Sequence, residues 1–129
     1  MATQKEMAIQ FLNDLGAASP GMVEHLTEGA EYSVNAQTMK IGPFTGKKAI
    51  AEKFLPMLKQ IFPKGLAMTI RNVVVGDNLV AVECSSKADL SNGKVYANRY
   101  VFMFDFEGNR ISNIREYADT AYAVEAMKP

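Results

Sequence analysis

The second half of the sequence alternates between apolar and polar residues over four long stretches, and this pattern restricts the fold more than any other feature. A period of two is typical of β-strands with one buried face. The predicted strands are 66–75, 78–90, 95–106 and 109–118. Each break between them holds a pair of residues that favours a tight hairpin turn: Gly76-Asp77, Asn92-Gly93 and Gly108-Asn109. The sequence therefore predicts a four-stranded antiparallel meander.

The first half of the sequence begins with helical periodicity. Residues 4–15 place an apolar stripe on one side of a predicted helix. Ser19-Pro20 then predicts the start of a short second helix that ends at Leu26, because serine caps helices and proline favours their first turn. A strand is predicted from Ala30 to Asn35, and a loop over 36–46.

A third helix is predicted after Thr45-Gly46, and Pro56 inside it predicts a kink or a restart. Asp119 or Thr120 is expected to cap a short last helix that ends near Met127. Helices that cover one face of a curved antiparallel sheet form an α+β domain. We expect a single domain over residues 1–129, which is long enough for one hydrophobic core.

Composition excludes several classes of partner. Lys plus Arg and Asp plus Glu each number 14, so the net charge is zero, and the two signs are well mixed along the chain. This balance argues against nucleic acid or an anionic membrane surface as a partner. The single cysteine, Cys84, excludes a disulfide framework and a CxxC metal site. The sequence has neither a signal-peptide core nor an apolar run of about 18 residues, so we expect a soluble cytoplasmic protein.

Alternation assigns the side chains of the meander to two faces. The inward face is predicted to hold Val80, Val82, Cys84, Ser86 and Ala88 of the second strand, Asn98, Tyr100, Phe102, Phe104 and Phe106 of the third, and Ser112, Ile114 and Glu116 of the fourth. The outward face contains an unusually apolar group, which indicates contact with another subunit: Arg99, Val101, Met103, Ile111 and Tyr117.

Glu116 is the residue that most suggests chemistry. A carboxylate that faces inward costs several kcal/mol unless it is paired, hydrogen-bonded or neutralised. One interpretation is a general acid/base whose pKa is raised by apolar neighbours. The other is an ion pair with Arg115, Lys87 or Arg99, or a solvated strand end. The sequence leaves both open.

Other polar residues offer similar pairs of interpretations. His25, the only histidine, either shuttles protons with Glu116 or is a surface or satisfied core residue. Tyr32, Asn98 and Tyr100 are candidates to donate hydrogen bonds to an enolate or carbonyl oxygen, or are satisfied core groups.

Three segments resemble a known family. They are the helix start Gly46-Lys47-Lys48-Ala49-Ile50, the strand Tyr100–Phe106 and the ending Gly108–Asp119. Together with the order of elements, they are similar to the ketosteroid-isomerase-like group with the nuclear transport factor 2-like (cystatin-like) fold, and most of all to its SnoaL-like polyketide cyclases. The resemblance covers about residues 5–126. It implies a cone-shaped cavity for a small, mostly apolar molecule, proton transfer without metal or cofactor, and a homodimer through the outer sheet face.

The catalytic residues of this group transfer only in part. The steroid isomerases have a tyrosine where this chain has Phe11 and Leu15. They also have two aspartates, and the corresponding positions in this chain lie near Val34 and at Phe102. The epoxide-hydrolase branch has an aspartate that matches Glu116 and a tyrosine that matches Tyr32. Its arginine and second aspartate match Cys84 and Ser86. The resemblance implies a cavity lined by Phe11, Leu15, Val34, Phe54, Leu58, Val82, Cys84, Ser86, Tyr100, Phe102 and Ile114.

The sequence therefore favours a protein that binds a small apolar carbonyl compound, with isomerase, aldol cyclase or dehydratase activity as the chemistry. The predicted catalytic residues are Glu116, Tyr32, Asn98 and His25. The alternatives are a non-catalytic binding or interaction module, and an epoxide-hydrolase-like enzyme with an incomplete triad.

Overall fold

The computed structural model describes residues 2–35, 37, 39 and 41–129. Four helical regions accompany one curved sheet whose strands run in the order β2-β1-β6-β5-β4-β3. The elements are α1 (Gln4–Gly16), a 3₁₀ helix (Pro20–His25), β1 (Leu26–Val34), β2 (Phe44–Thr45), α2 (Lys47–Ala49), a π-helical turn (Ile50–Phe54), α3 (Leu55–Ile61), β3 (Ala67–Gly76), β4 (Leu79–Asp89), β5 (Val95–Glu107), β6 (Arg110–Ala118) and α4 (Thr120–Ala126). The predicted α+β fold, with helices on a curved sheet, is confirmed.

Helix α1 begins and ends at residues that suit those positions. Thr3 and Glu6 form a reciprocal capping box at its start. At its end, Gly16 allows a close approach of Leu66, the residue before β3, because a Cβ atom at position 16 would lie 2.6 Å from the carbonyl oxygen of Leu66. The Leu66 N–H donates to the carbonyl oxygen of Gly16 at 2.7 Å. The helix is thereby fixed against the sheet where the site is found.

The third helical region changes from π-helical to α-helical geometry at Leu55, next to Pro56, where a kink or a restart was predicted. Helix α2 continues directly into the π-helical turn, and α3 follows with Pro56 in its first turn. Proline has no N–H to donate to the preceding turn, so it favours a new helix start at this place. Ile50 and Phe54 of the π-helical turn are buried and face the sheet.

The meander forms as predicted. Strands β3 to β6 pair antiparallel in sequence order, and the alternating burial along β4 and β5 confirms the predicted inward faces of both strands. Strand β1 begins four residues before the predicted Ala30 and pairs parallel with β6. Of the predicted loop over 36–46, Phe44–Thr45 forms β2, while Ala36, Thr38 and Lys40 lie outside the described residues.

The assignment of Ile111 to the outer face was wrong. Ile111 pairs with Phe106 and Asn113 pairs with Asp105, so Ser112 is an additional residue in a β-bulge. The bulge turns Ile111 inward, where it is 0% exposed. The alternation of β6 is therefore correct only beyond the bulge, where Ile114 faces the core.

No helix among the described residues is both long and apolar enough to span a membrane.

Candidate functional site

A cavity of about 60 Å³ lies between the concave face of the sheet on one side and helices on the other. These are the end of α1, together with α3 and α4. Its wall is apolar apart from one carboxyl group and two phenol hydroxyls. The lining residues are Leu15, Val34, Met39, Ile41, Phe54, Met57, Leu58, Ile61, Phe62, Leu66, Met68, Tyr96, Tyr100, Phe102, Glu116, Ala118, Ala123 and Met127.

Glu116 reaches this cavity from the middle of the sheet. It pairs with Phe102 of β5 on one side and with Val34 of β1 on the other. Tyr32, two residues before Val34 on the same face, is fully buried, and its hydroxyl donates to Oε1 of Glu116 at 2.5 Å. The second carboxyl oxygen, Oε2, has no hydrogen-bond partner among the described residues. Glu116 thus has one oxygen held by Tyr32 and one available to a ligand.

The surroundings of Glu116 favour its neutral form. Burial raises its pKa to about 7, and the hydrogen bond from Tyr32 opposes this rise. Burial, followed by the nearby negative charge of Glu116, raises the pKa of Tyr32 well above its ordinary value. Tyr32 therefore stays protonated and donates. A carboxyl group with a pKa near neutrality can both accept and return a proton at physiological pH.

The predicted ion-pair partners of Glu116 make other contacts or are exposed. Arg115 projects to the opposite face and pairs with Asp105. Lys87 and Arg99 are exposed, and neither forms an ion pair with Glu116. In the part of the chain that the structure describes, Glu116 forms no salt bridge, so its charge is compensated by Tyr32 alone.

A second polar group lies on the same concave face. Ser86 and Tyr100 share a hydrogen bond of 2.7 Å between their hydroxyls. The Asn98 side chain donates from Nδ2 to the Tyr96 hydroxyl at 2.6 Å and to the carbonyl oxygen of Asp119 at 3.2 Å. All four side chains that meet here are buried, and burial raises the pKa of Tyr100.

The structure brings seven of the predicted site residues to the cavity wall: Leu15, Val34, Phe54, Leu58, Tyr100, Phe102 and Glu116. Tyr32 lies behind Glu116. Five others are buried in the core without lining the cavity: Phe11, Val82, Cys84, Ser86 and Ile114. Burial raises the pKa of the Cys84 thiol to about 12, so it is a neutral core side chain.

Besides Tyr32, two predicted catalytic residues lie outside the cavity wall. His25 ends the 3₁₀ helix, and its Nε2 is 2.8 Å from Oδ2 of Asp14. Asn98 uses its amide group on Tyr96 and the Asp119 backbone, and its Oδ1 accepts from the N–H of Arg99. Both side chains are thus engaged in the scaffold.

Sequence reasoning missed much of the wall, including four methionines: Met39, Met57, Met68 and Met127. The last helix was predicted, but the periodicity did not show that α4 packs against the cavity. Tyr96 was also missed, although alternation from Asn98 places it on the inward face. Among the described residues, no group of three or more His, Cys, Asp or Glu side chains is placed to hold a metal ion.

Comparisons with known proteins agree with this fold. The sequence profile of the SnoaL-like domain family matches residues 12–114. A search of curated proteins found no match to the sequence. Among solved structures, an NTF2-like protein of unknown function from Burkholderia pseudomallei has a TM-score of 0.88 at 13% identity, with both chains covered completely.

Two further structures carry names that mention small molecules. A phenazine biosynthesis-related protein from Pseudomonas aeruginosa has a TM-score of 0.77 at 19% identity, covering 96% of this chain and 80% of its own. A protein with a ketosteroid isomerase-like fold from Catenulispora acidiphila, solved in complex with trimethylamine, has a TM-score of 0.81 at 13% identity, covering 98% and 96%. At such identities the structures show the fold alone. From the profile match and this shared fold, the chain belongs to the SnoaL-like domain family and has the NTF2-like, ketosteroid-isomerase-like fold.

Proposed function

We propose that the protein binds a small, mostly apolar carbonyl compound and catalyses proton transfer at the carbon next to the carbonyl. One observation carries this proposal. Glu116 is a carboxyl group in an apolar cavity, its pKa is raised to about 7, and one of its oxygens is held in place by Tyr32. A base with this pKa is well suited to proton abstraction at neutral pH.

The proposed step uses Oε2 of Glu116 as the base. It takes a proton from the α-carbon, and the electron pair of that C–H bond moves towards the carbonyl oxygen to form an enolate. Return of the proton at another carbon isomerises the compound. Attack of the enolate on a second carbonyl carbon closes a ring in an aldol reaction. The alkoxide formed takes the proton back from Glu116, and loss of water then gives a dehydrated product. Tyr32 keeps the carboxyl group oriented in each case.

The wall suits a small ligand. The cavity of about 60 Å³ is smaller than the roughly 300–1,000 Å³ of most ligand pockets, so side chains must move to admit a larger molecule. The four methionines of the wall provide this adaptability, since methionine is unbranched and repacks easily. The trimethylamine complex of one structural relative and the phenazine-related name of another support a small-molecule role.

Proton exchange tests the proposal directly. Cyclopentanone incubated with the protein in D2O should lose its α-proton NMR signals faster than in buffer, with a rate that rises as pH increases through about 7. Glu116→Gln should remove the acceleration. Glu107→Gln changes an exposed carboxylate at the end of β5 and serves as the matched control. Acceleration that survives in Glu116→Gln would refute the role of Glu116.

The same experiment separates the alternatives. Binding of the ketone without exchange would favour a non-catalytic binding module. For an epoxide-hydrolase-like enzyme, Cys84 and Ser86 occupy the positions of the arginine and second aspartate. Cys84 is a neutral thiol in the core and Ser86 is hydrogen-bonded to Tyr100, so the second carboxylate and the arginine of that reaction have no counterpart at these positions.

We also propose that two copies of the chain associate through the outer sheet face. Val101 and Tyr117 are 39% and 43% exposed and lie opposite each other on β5 and β6. They share an outer groove with Arg71, Glu83 and Arg99, so that apolar side chains are bordered by both signs of charge. A face of this kind can pair with its own copy.

A further inference from the structure

The hydroxyl of Tyr96 differs from the other polar groups around the cavity. Tyr32 donates to Glu116, and Tyr100 is hydrogen-bonded to Ser86. Asn98 donates to Tyr96 and to the Asp119 backbone. These groups are occupied within the protein, whereas a ligand oxygen needs a donor whose proton has no other acceptor.

Tyr96 meets that requirement. Its oxygen accepts a hydrogen bond from Nδ2 of Asn98 at 2.6 Å. This hydrogen bond places a proton on the lone-pair side of the Tyr96 oxygen, so the O–H of Tyr96 must point elsewhere. Among the described residues no acceptor receives it. Tyr96 is 3% exposed and lines the cavity, which leaves the cavity as the place for its partner.

The hydrogen bond from Asn98 strengthens this donor. A hydroxyl that accepts hydrogen bonds becomes a better donor, because each bond in a chain polarises the next. Here Asn98 donates that hydrogen bond to the Tyr96 oxygen. The ring of Tyr96 is fixed between Phe62 and Tyr122, each with its centroid 5.5 Å away, so the hydroxyl is held in position without a ligand.

The position of Tyr96 complements that of Glu116. Both side chains line the same cavity from the concave face, Glu116 from β6 and Tyr96 from the start of β5. The negative charge of Glu116 acts on the phenol groups of both Tyr96 and Tyr100. The wall between these two polar ends is apolar. A ligand that satisfies both ends has one oxygen acceptor and an otherwise apolar skeleton that presents a C–H bond to Glu116.

We propose that Tyr96 forms an oxygen subsite of the cavity, where its hydroxyl donates a hydrogen bond to the carbonyl oxygen of the ligand and to the enolate oxygen that develops from it. This proposal rests on the proposed function and adds the residue that binds the ligand oxygen. It assigns to Tyr96 the role that sequence reasoning gave to Tyr32, Asn98 or Tyr100. A hydrogen bond to the developing charge stabilises the enolate more than the ketone, which is the basis of oxyanion catalysis.

Two probes of the same shape test the subsite. Cyclopentanone carries an acceptor oxygen, and methylenecyclopentane replaces that oxygen with a CH2 group. NMR titration of each should show that the protein prefers the ketone, and Tyr96→Phe should lower the affinity for the ketone about tenfold. The same variant should leave the affinity for methylenecyclopentane within about twofold, because the ring that packs in the wall is retained.

Matched variants identify the hydroxyl responsible. Tyr122→Phe removes the hydroxyl that accepts from the Ala97 N–H, outside the cavity wall, and should leave the preference for the ketone unchanged. The thermal unfolding midpoint of each variant shows whether the fold is retained. An unchanged ketone preference in Tyr96→Phe would overturn the proposal, as would failure of the native protein to distinguish the two probes.

The titrations are repeated in the Glu116→Gln background, where proton exchange is absent. A ketone preference that depends on Tyr96 in this background supports the subsite even if the native protein exchanges no α-protons, in which case only the proposed catalysis fails. A different result would reject the subsite and leave the proposed function standing. In that case exchange depends on Glu116, and Tyr96→Phe changes neither the exchange rate nor the preference for the ketone.

Discussion

Replacing Glu116 by glutamine should stabilise the protein at neutral and alkaline pH and leave its stability nearly unchanged in acid. Burial raises the pKa of Glu116 from an ordinary 4.5 to about 7. The native state therefore holds this proton more tightly than the unfolded chain does, and the free energy of unfolding falls as pH rises from about 4.5 to about 7. Each pKa unit corresponds to about 1.4 kcal/mol, so the ionised carboxylate costs about 3 kcal/mol above pH ~8.

Glutamine is the appropriate replacement because it keeps the shape of the side chain and removes only its charge. Its amide oxygen can still accept the hydrogen bond that Tyr32 donates to Oε1 of Glu116. At low pH the native carboxyl is neutral as well, so the two proteins then differ little. Above the raised pKa only the native protein has a negative charge at this position.

Urea denaturation at a series of pH values measures this effect. The difference in unfolding free energy between Glu116→Gln and the native protein should be near zero at about pH 4 and should rise to about 3 kcal/mol in favour of the variant at about pH 8. Glu107→Gln, in an exposed position, should show a small difference at every pH. A difference that does not vary with pH, or a variant less stable than the native protein at about pH 8, would refute the assigned burial of this carboxyl.

Three further substitutions test the contacts around the site. Tyr32→Phe removes the hydrogen bond that opposes the rise in the Glu116 pKa, so carboxyl NMR titration should place that pKa above about 7; a lower value contradicts the assignment. Val101→Asp adds like charges to the proposed subunit contact and should convert a dimer into monomers in analytical ultracentrifugation. Gly16→Ala places a Cβ atom 2.6 Å from the Leu66 carbonyl oxygen. It should destabilise the protein by about 1–3 kcal/mol in urea denaturation. Full retention of stability would show that the segment around Leu66 moves away freely.

Local patterns were sufficient to predict the meander and the inward position of Glu116. The ladder between β4 and β5 is uninterrupted, so each of its side chains keeps the face that alternation gives it. The same reasoning failed at Ile111, because the bulge at Ser112 changes the register by one residue and the sequence around it does not mark the change. Faces are predictable from alternation only between such irregularities.

The composition of the cavity wall was harder to predict, because it depends on how distant segments meet. Ala123 and Met127 line the cavity since α4 folds back over the sheet, held in part where Asn92 donates to the carbonyl oxygen of Ala126. His25 was proposed to act with Glu116 by residue type alone, yet the short 3₁₀ helix ends beside α1 and directs it to Asp14. Long-range packing of this kind leaves no periodic signal in the sequence.

The energetic cost of Glu116 is itself an argument about function. Nothing in the sheet requires a carboxylate opposite Phe102, and an apolar side chain in that apolar wall would avoid a penalty of about 3 kcal/mol at neutral pH. Tyr32 compensates only part of this cost, since it holds one oxygen and leaves the other without a partner in the described structure. The same cavity is lined by Tyr96, whose hydroxyl proton has no acceptor among the described residues. A side chain that weakens the fold in such a place is typical of positions where stability is given up for ligand chemistry.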